Sequence, residues 1–297
     1  MGNSPGENLE YWKIKIQLLE KVNTWKLNVP KICHFYWGGG KLIYLRYLAF
    51  KTFAALNPGW QIILWQPKKH FTGRSWGIER GDRPINYKLM KDYSDKLGEL
   101  PITPVKVDFE ALKFWVNMAE VHKNDYIRIN SMYLYGGVWS DTDILYFKSM
   151  DELCINIDEN RHKETYVCIA DYGHSTGFNI AQPESRFFSK LRRMMNIEYK
   201  PLEYQCWGPD MFNKYFKKLE SIPGGVNIPM DVVYAHNCHN VRELLNGNIS
   251  RFTNQSIGCH WYGGNSVWGR FLNETAGGEK NLKSNIISQL IINAQKL

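Results

Sequence analysis

The chain has 297 residues, 44% of them hydrophobic and 14% aromatic, with a formal net charge of +8. That apolar content excludes general disorder, and no run of 18 apolar residues or signal-peptide core points to a membrane span or to secretion. Six cysteines without a C-x-x-C pair read as reduced thiols, which together with the missing myristoylation pattern (Gly6 stands where Ser or Thr is needed) predicts a cytoplasmic protein.

Residues 9–25 have the spacing of an amphipathic helix that prefaces the fold. Residues 29–36 form an apolar strand that ends at Trp37-Gly38-Gly39-Gly40. A helix over 42–56 is stopped by Asn57-Pro58-Gly59, and 60–65 is the next strand. Strand–helix–strand alternation implies an α/β fold with a parallel sheet and ligands at the strands' carboxyl ends. Residues 67–101 read as a polar insertion with a short helix over 85–97, and Lys68, Lys69, Arg74, Arg80, Arg83, Lys88 and Lys91 concentrate there. From 110 to 135 there is no Pro or Gly, and Leu112, Trp115, Val116, Ala119, Ile127, Met132 and Leu134 recur at helical spacing. One or two helices are expected, stopped by Gly136-Gly137. Val138-Trp139 then opens a short strand, residues 144–147 continue apolar, and 166–170 is another strand. No internal repeat interrupts this single unit.

Asp125, Arg128, Asp141 and Asp143 are the chemically informative residues. Asp125 and Arg128 stand one helical turn apart, a spacing that serves a surface ion pair as well as a site. Asp141 and Asp143 are two residues apart, and in extended chain such side chains face the same way, about 7 Å from each other. Both can then face one hard cation. Mg²⁺ or Mn²⁺ takes one or two carboxylates plus phosphate oxygens and water, and as a Lewis acid it stabilises a departing diphosphate. A bare D-x-D is a weak pattern, and the flanking helix and Gly-Gly break give it weight.

The runs K-N-D-Y-I-R and L-Y-G-G-V-W-S-D-T-D-I resemble the signature of retaining glycosyltransferases with the GT-A fold. The relatives implied are initiating mannosyltransferases, capsular-polysaccharide transferases and the glucosylating domains of clostridial toxins. V-P-K-I-C-H-F-Y-W-G-G at 29–39 and L-N-P-G-W-Q-I-I-L-W at 56–65 are similar to that family's first two strands, although Gln66 stands where the second normally runs into Asp. The resemblance implies a Rossmann-like GT-A fold with a mostly parallel central sheet flanked by helices and interrupted by helical and loop insertions. It implies a single domain: an N-terminal helix (1–28), a nucleotide-sugar-binding half (29–147) and an acceptor-binding C-terminal half (148–297). It further implies that Trp37 stacks on the base, with Tyr36 and Gly38 beside it, that Asp125 contacts the donor-sugar hydroxyls and that Arg128 lies beside the sugar or diphosphate. Gly177-Phe178-Asn179 faces sugar or acceptor, with Asn179 the contact. His260 is the candidate third metal ligand beside Asp141 and Asp143, or a phosphate contact, with Asn265 and Ser266 as alternatives, and Ser266 and Trp268 close on the diphosphate from a glycine-rich loop. The donor is a nucleotide sugar, UDP-linked by preference, and transfer retains the anomeric configuration. Asp171 and Asp210 are the best candidates for a nucleophile and equally good as structural caps. His34 reads as a packed strand residue.

The positive charge favours anionic partners: a nucleotide sugar, a glycan or lipid-linked glycan acceptor at a membrane surface, or a nucleic acid. Two rival readings are a basic, aromatic-rich binding module without turnover, and a D-x-D phosphatase with Asp141 as nucleophile. The second fits poorly, because Gly-Val-Trp-Ser precedes the motif where an apolar strand is wanted.

Overall fold

The computed structural model describes residues 23–69, 85–112, 118–280 and 285–297. At its centre lies β1 (Ile32–Tyr36), buried along its whole length. A strand covered on both faces needs a continuous apolar run, yet alternation still sorts its side chains. Cys33 and Phe35 enter one core, Ile32 and Tyr36 the other. Helix α1 (Tyr44–Leu56) covers the first face, its Phe50 and Phe53 rings 4.7 and 5.9 Å from Phe35. Asn57 ends it by donating from backbone and side chain to the Phe53 carbonyl, and Gly59 turns away at φ +82°. Helices α2 (Glu120–Leu134) and α3 (Arg186–Glu198) cover the second face through Ile129, Met132, Phe187 and Leu191.

β2 (Gln61–Pro67) and β3 (Ile102–Val107) extend the sheet in parallel on one side of β1, and β4 (Gly137–Ser140) lies parallel on the other. Beyond β4 the order runs to β7 (Gly173–Ala181), β6 (Thr165–Ala170) and β8 (Gly225–Asn227), with β7 antiparallel to both its neighbours. The result is a mostly parallel seven-stranded sheet between helices, the expected α/β architecture. A second sheet pairs β5 (Ile144–Tyr146) antiparallel with β9 (Gly258–His260). The second half also carries the short helices α4 (Pro209–Tyr215), α5 (Trp268–Glu274) and α6 (Ile286–Gln295), besides single helical turns at Ile157–Asn160 and Arg242–Leu245.

Several expectations change. Residues 9–22 of the anticipated first helix lie outside the described residues, as do Arg74, Arg80 and Arg83, Trp115 and Val116. Residues 23–25 are not helical: Thr24 bridges to Pro30, and Trp25 packs edge-on against Trp60 at 5.4 Å. The helix over 85–97 is replaced by two 3-10 turns, Tyr87–Leu89 and Ser94–Glu99. Asp92 breaks it, since its carboxylate accepts from Ser94 N–H, the Ser94 hydroxyl and Leu42 N–H. β3 went unanticipated because Pro104 sits inside it, a residue that only an edge strand tolerates.

Candidate functional site

Asp141 and Asp143 do not sit in extended chain as anticipated. They occupy the turn between β4 and β5, closed by Ile144 N–H donating to the Asp141 carbonyl at 3.2 Å. The turn still aims both carboxylates to one side, and β9 supplies the rest. Ile144 pairs with His260, and Trp261 N–H donates to the Asp143 carbonyl at 2.9 Å. Ligand atoms of Asp141, Asp143 and His260 consequently lie within 4.8 Å of one another. His260 Nδ1 accepts from Tyr262 N–H at 3.3 Å, which leaves Nε2 facing Asp143 Oδ1 at 3.2 Å. Two carboxylates and an imidazole edge converging in this way suit a divalent cation that keeps open positions for phosphate oxygens. Asn265 does not compete: its side chain is committed to the Cys238 carbonyl and Val267 N–H. Ser266 is exposed in the same loop.

Burial pushes the Asp143 carboxyl up, but the His260 imidazole, the Arg46 guanidinium and the Gly263 N–H at 2.7 Å outweigh it. They hold the group well below the usual carboxylate range. Asp141 accepts from Trp139 Nε1 at 2.9 Å on one oxygen, and its other oxygen faces Gly177. A Cβ at Gly177 would lie 2.7 Å from that oxygen, so only glycine lets Asp141 tuck against β7.

Asp125 and Arg128 are not a surface ion pair. Arg128 is 2% exposed, paired with Asp125 and with its guanidinium 5.7 Å from the Trp139 ring and 5.9 Å from Phe212. Its Nη1 stands 4.0 Å from Asp141 Oδ1, so the α2 pair joins the acid cluster. Burial, with a smaller push from Asp141, raises the Asp125 carboxyl to about 6 against the opposing pull of Arg128. Gly208, at the start of α4, packs over this pair: a Cβ there would be 3.5 Å from Asp125 Oδ2 and 3.6 Å from Arg128 Nη2. Trp207 anchors that roof, its Nε1 donating to the Met195 carbonyl. Asp171 and Asp210 are both exposed.

Trp37 leaves the carboxyl end of β1 half-buried, its Nε1 donating to the Gly40 carbonyl. Tyr36 is buried and donates to Glu120, whose carboxylate a Cβ at Gly38 would overlap. Tyr36 and Gly38 thus fasten the loop to the start of α2. Asn179, opposite Trp139 in the β4–β7 pair, donates to the Thr176 carbonyl, while its buried Oδ1 has no partner among the described residues. Trp268 differs from its expectation. It is fully buried, edge-on to Trp261 at 5.3 Å and to Phe271 at 5.7 Å, and belongs to the core in this conformation.

Arg46 is the residue that sequence reasoning missed. From the first turn of α1 its guanidinium reaches 5.4 Å from the Trp37 ring and 5.3 Å from Trp261, and donates to the Thr142 hydroxyl at 2.7 Å. It makes no ion pair with a carboxylate among the described residues, and it ties the tryptophan after the first strand to the D-T-D turn. No spacing rule in the sequence marks it, since the contact depends on the tight Trp37–Gly40 connection.

Residues 46–160 match the family model described as "Glycosyltransferase sugar-binding region containing DXD motif". "Glycosyltransferase afumC" of Aspergillus fumigatus is 37% identical over 78 residues, 26% of this chain and 19% of that protein. The matched stretch therefore spans about a fifth of that relative's length. Among solved structures, the PaToxG glycosyltransferase aligns over 73% of this chain and 80% of its own, at 13% identity and a TM-score of 0.43. The glycosyltransferase GlyE of Streptococcus pneumoniae covers 89% of this chain and 63% of its own at 12% identity and a TM-score of 0.47. Residues 46–160, which carry Arg46, Asp125, Arg128 and the D-T-D turn, are thus similar to the glycosyltransferase sugar-binding region that contains the DXD motif.

Proposed function

We propose that this chain is a metal-dependent glycosyltransferase that moves a hexose-type sugar from a nucleotide-sugar donor, UDP-linked by preference, to an acceptor hydroxyl. The observation that carries the reading is the convergence of Asp141, Asp143 and His260 beside the buried Asp125–Arg128 pair and the Arg46–Trp37 contact. Mn²⁺ or Mg²⁺ held by the first three would supply Lewis-acid stabilisation of the departing diphosphate.

Each remaining residue has a role set by its surroundings. The face of Trp37 away from Arg46 is the platform for the base. Arg46 meets phosphate charge, because its guanidinium lies between the Trp37 ring and the Thr142 hydroxyl and makes no close ion pair among the described residues. Asp125 accepts from donor-sugar hydroxyls while Arg128 fixes its orientation, and the orphaned Asn179 Oδ1 accepts from a further hydroxyl. Retention of configuration belongs to the same reading and is tested by the anomeric form of the product.

Incubation with a panel of nucleotide sugars, with and without Mn²⁺, tests the function and names the donor. Metal-dependent release of nucleoside diphosphate is expected, and Asp141→Asn or Asp143→Asn should abolish it. Full turnover in chelator would refute the proposal. Tight binding of nucleic acid or glycan with no release from any donor would favour a binding module.

A further inference from the structure

Residues 186–218 carry eight Lys or Arg against three Asp or Glu, a net +5 within a chain of net +8. Helix α3 turns Phe187, Phe188, Leu191 and Met195 inward, which leaves Arg186, Lys190, Arg193 and Ile197 along its outer side at helical spacing. Lys214 bonds Glu198 at 2.7 Å, and Lys190 lies 5.0 Å from the Tyr215 ring, so the end of α4 runs alongside α3. Two of the three acids are spent on lysines, and the third, Asp210, is exposed. Glu198 is taken by Lys214 and Tyr215, and Glu203 by Lys200 at 3.0 Å. Lys190, Arg193, Lys217 and Lys218 make no ion pair among the described residues.

At the tip of this basic surface stand two aliphatic side chains, Ile197 at 70% and Leu202 at 91% exposure. A single exposed leucine is ordinary, but two beside uncompensated cations form the pattern of an interfacial membrane contact. We propose that α3 and the loop joining it to α4 dock the protein on an anionic lipid surface. Ile197 and Leu202 enter the headgroup–acyl boundary, and Lys190, Arg193, Lys217 and Lys218 face lipid phosphates and carboxylates. A nucleic acid would use the same cations but stack on aromatic rings, and of the large hydrophobics exposed here Leu202 at 91% and Ile197 at 70% stand out further than Tyr204 at 46%. No helix among the described residues is long and apolar enough to cross a membrane, so the contact lies on the surface. The same loop continues to Gly208, which packs on Asp125 and Arg128, so docking would set one rim of the acid cluster at the lipid.

Sedimentation with phosphatidylcholine vesicles, with and without phosphatidylserine, tests this without any sugar donor, so its failure leaves the transferase reading untouched. Binding is expected only with phosphatidylserine and should fall as salt rises. Leu202→Ser should weaken it about tenfold, and Lys217→Glu with Lys218→Glu at least about fivefold for each charge removed. Melting midpoints and metal-dependent donor cleavage in solution should stay at wild-type values in these variants. No preference for phosphatidylserine would overturn the proposal. So would tighter binding to single-stranded RNA that Leu202→Ser leaves unchanged.

Discussion

Arg46 and His34 show how much one side chain's surroundings decide. Arg46 lies on the helix after the first strand, yet it touches Thr142 between the two acids and stacks near both Trp37 and Trp261. If it faces the diphosphate, Arg46→Ala should lower kcat for donor cleavage by about a hundredfold, the scale of losing one preorganised charge-stabilising donor. Arg46→Lys should recover part of the loss, since charge returns without the fork that grips Thr142. An Ala variant as active as the parent would remove Arg46 from the site. His34 has the opposite character. Trp65 Nε1 donates to its Nδ1 at 3.1 Å, so the proton sits on Nε2, which donates to the Gly136 carbonyl at 2.9 Å. Burial lowers its pKa from 6.5 to about 4. Between those values the unfolded chain binds a proton that the folded chain refuses, so acid favours unfolding there. The cost is on the order of 3 kcal/mol, fully developed only near pH 4 and absent above pH 6.5. Denaturant midpoints measured across that window should fall with pH, and less steeply in His34→Gln.

At the level of elements, Gly136-Gly137 is the hinge on which the site turns. Both have positive φ, and a Cβ at Gly137 would lie 2.5 Å from the Ile32 carbonyl oxygen, inside the β1–β4 pairing. Gly137→Ala combines a left-handed penalty of about 1–2 kcal/mol with a backbone clash. It should cost at least about 2 kcal/mol and lower Tm by roughly 3 °C or more. A variant melting at the parental temperature would show that the turn relaxes freely. This hinge was legible in the sequence, as were β1, α1, β2, β6 and the helix carrying Asp125 and Arg128, because each joins a clear period to a Gly or Asn-Pro-Gly stop. What stayed hidden depends on partners distant in the chain. β7, with glycines at 173 and 177 and few apolar residues before Phe178, is a strand because β4 and β6 flank it. His260 was nameable only by resemblance, since its place beside Asp143 is fixed by the β5–β9 register. Trp268 shows the converse error: in a glycine-rich loop a tryptophan reads as a mobile contact, and the Trp261 edge and the buried face of α5 claim it instead.

For the whole molecule, the site is where separate parts of the chain meet. Trp37 comes from the loop after β1, Asp125 from α2, Asp141 and Asp143 from the turn between two sheets, and His260 from the small second sheet. An ion bound by Asp141, Asp143 and His260 would cross-link the main sheet to the β5–β9 pair, and it must bind the folded chain better than the unfolded one. Stability therefore rises with metal concentration: at a hundred times Kd the gain is about 2.7 kcal/mol, or roughly 4 °C in Tm for a chain of this size. Thermal unfolding with Mn²⁺ or Mg²⁺ should show that rise, and chelator should reverse it. Asp143→Asn and His260→Ala should each flatten the response, because either leaves two ligands where three converge. A rise that persists in both variants would mean that the ion binds elsewhere, and the proposed metal centre would have to be given up even if the enzyme still cleaved its donor.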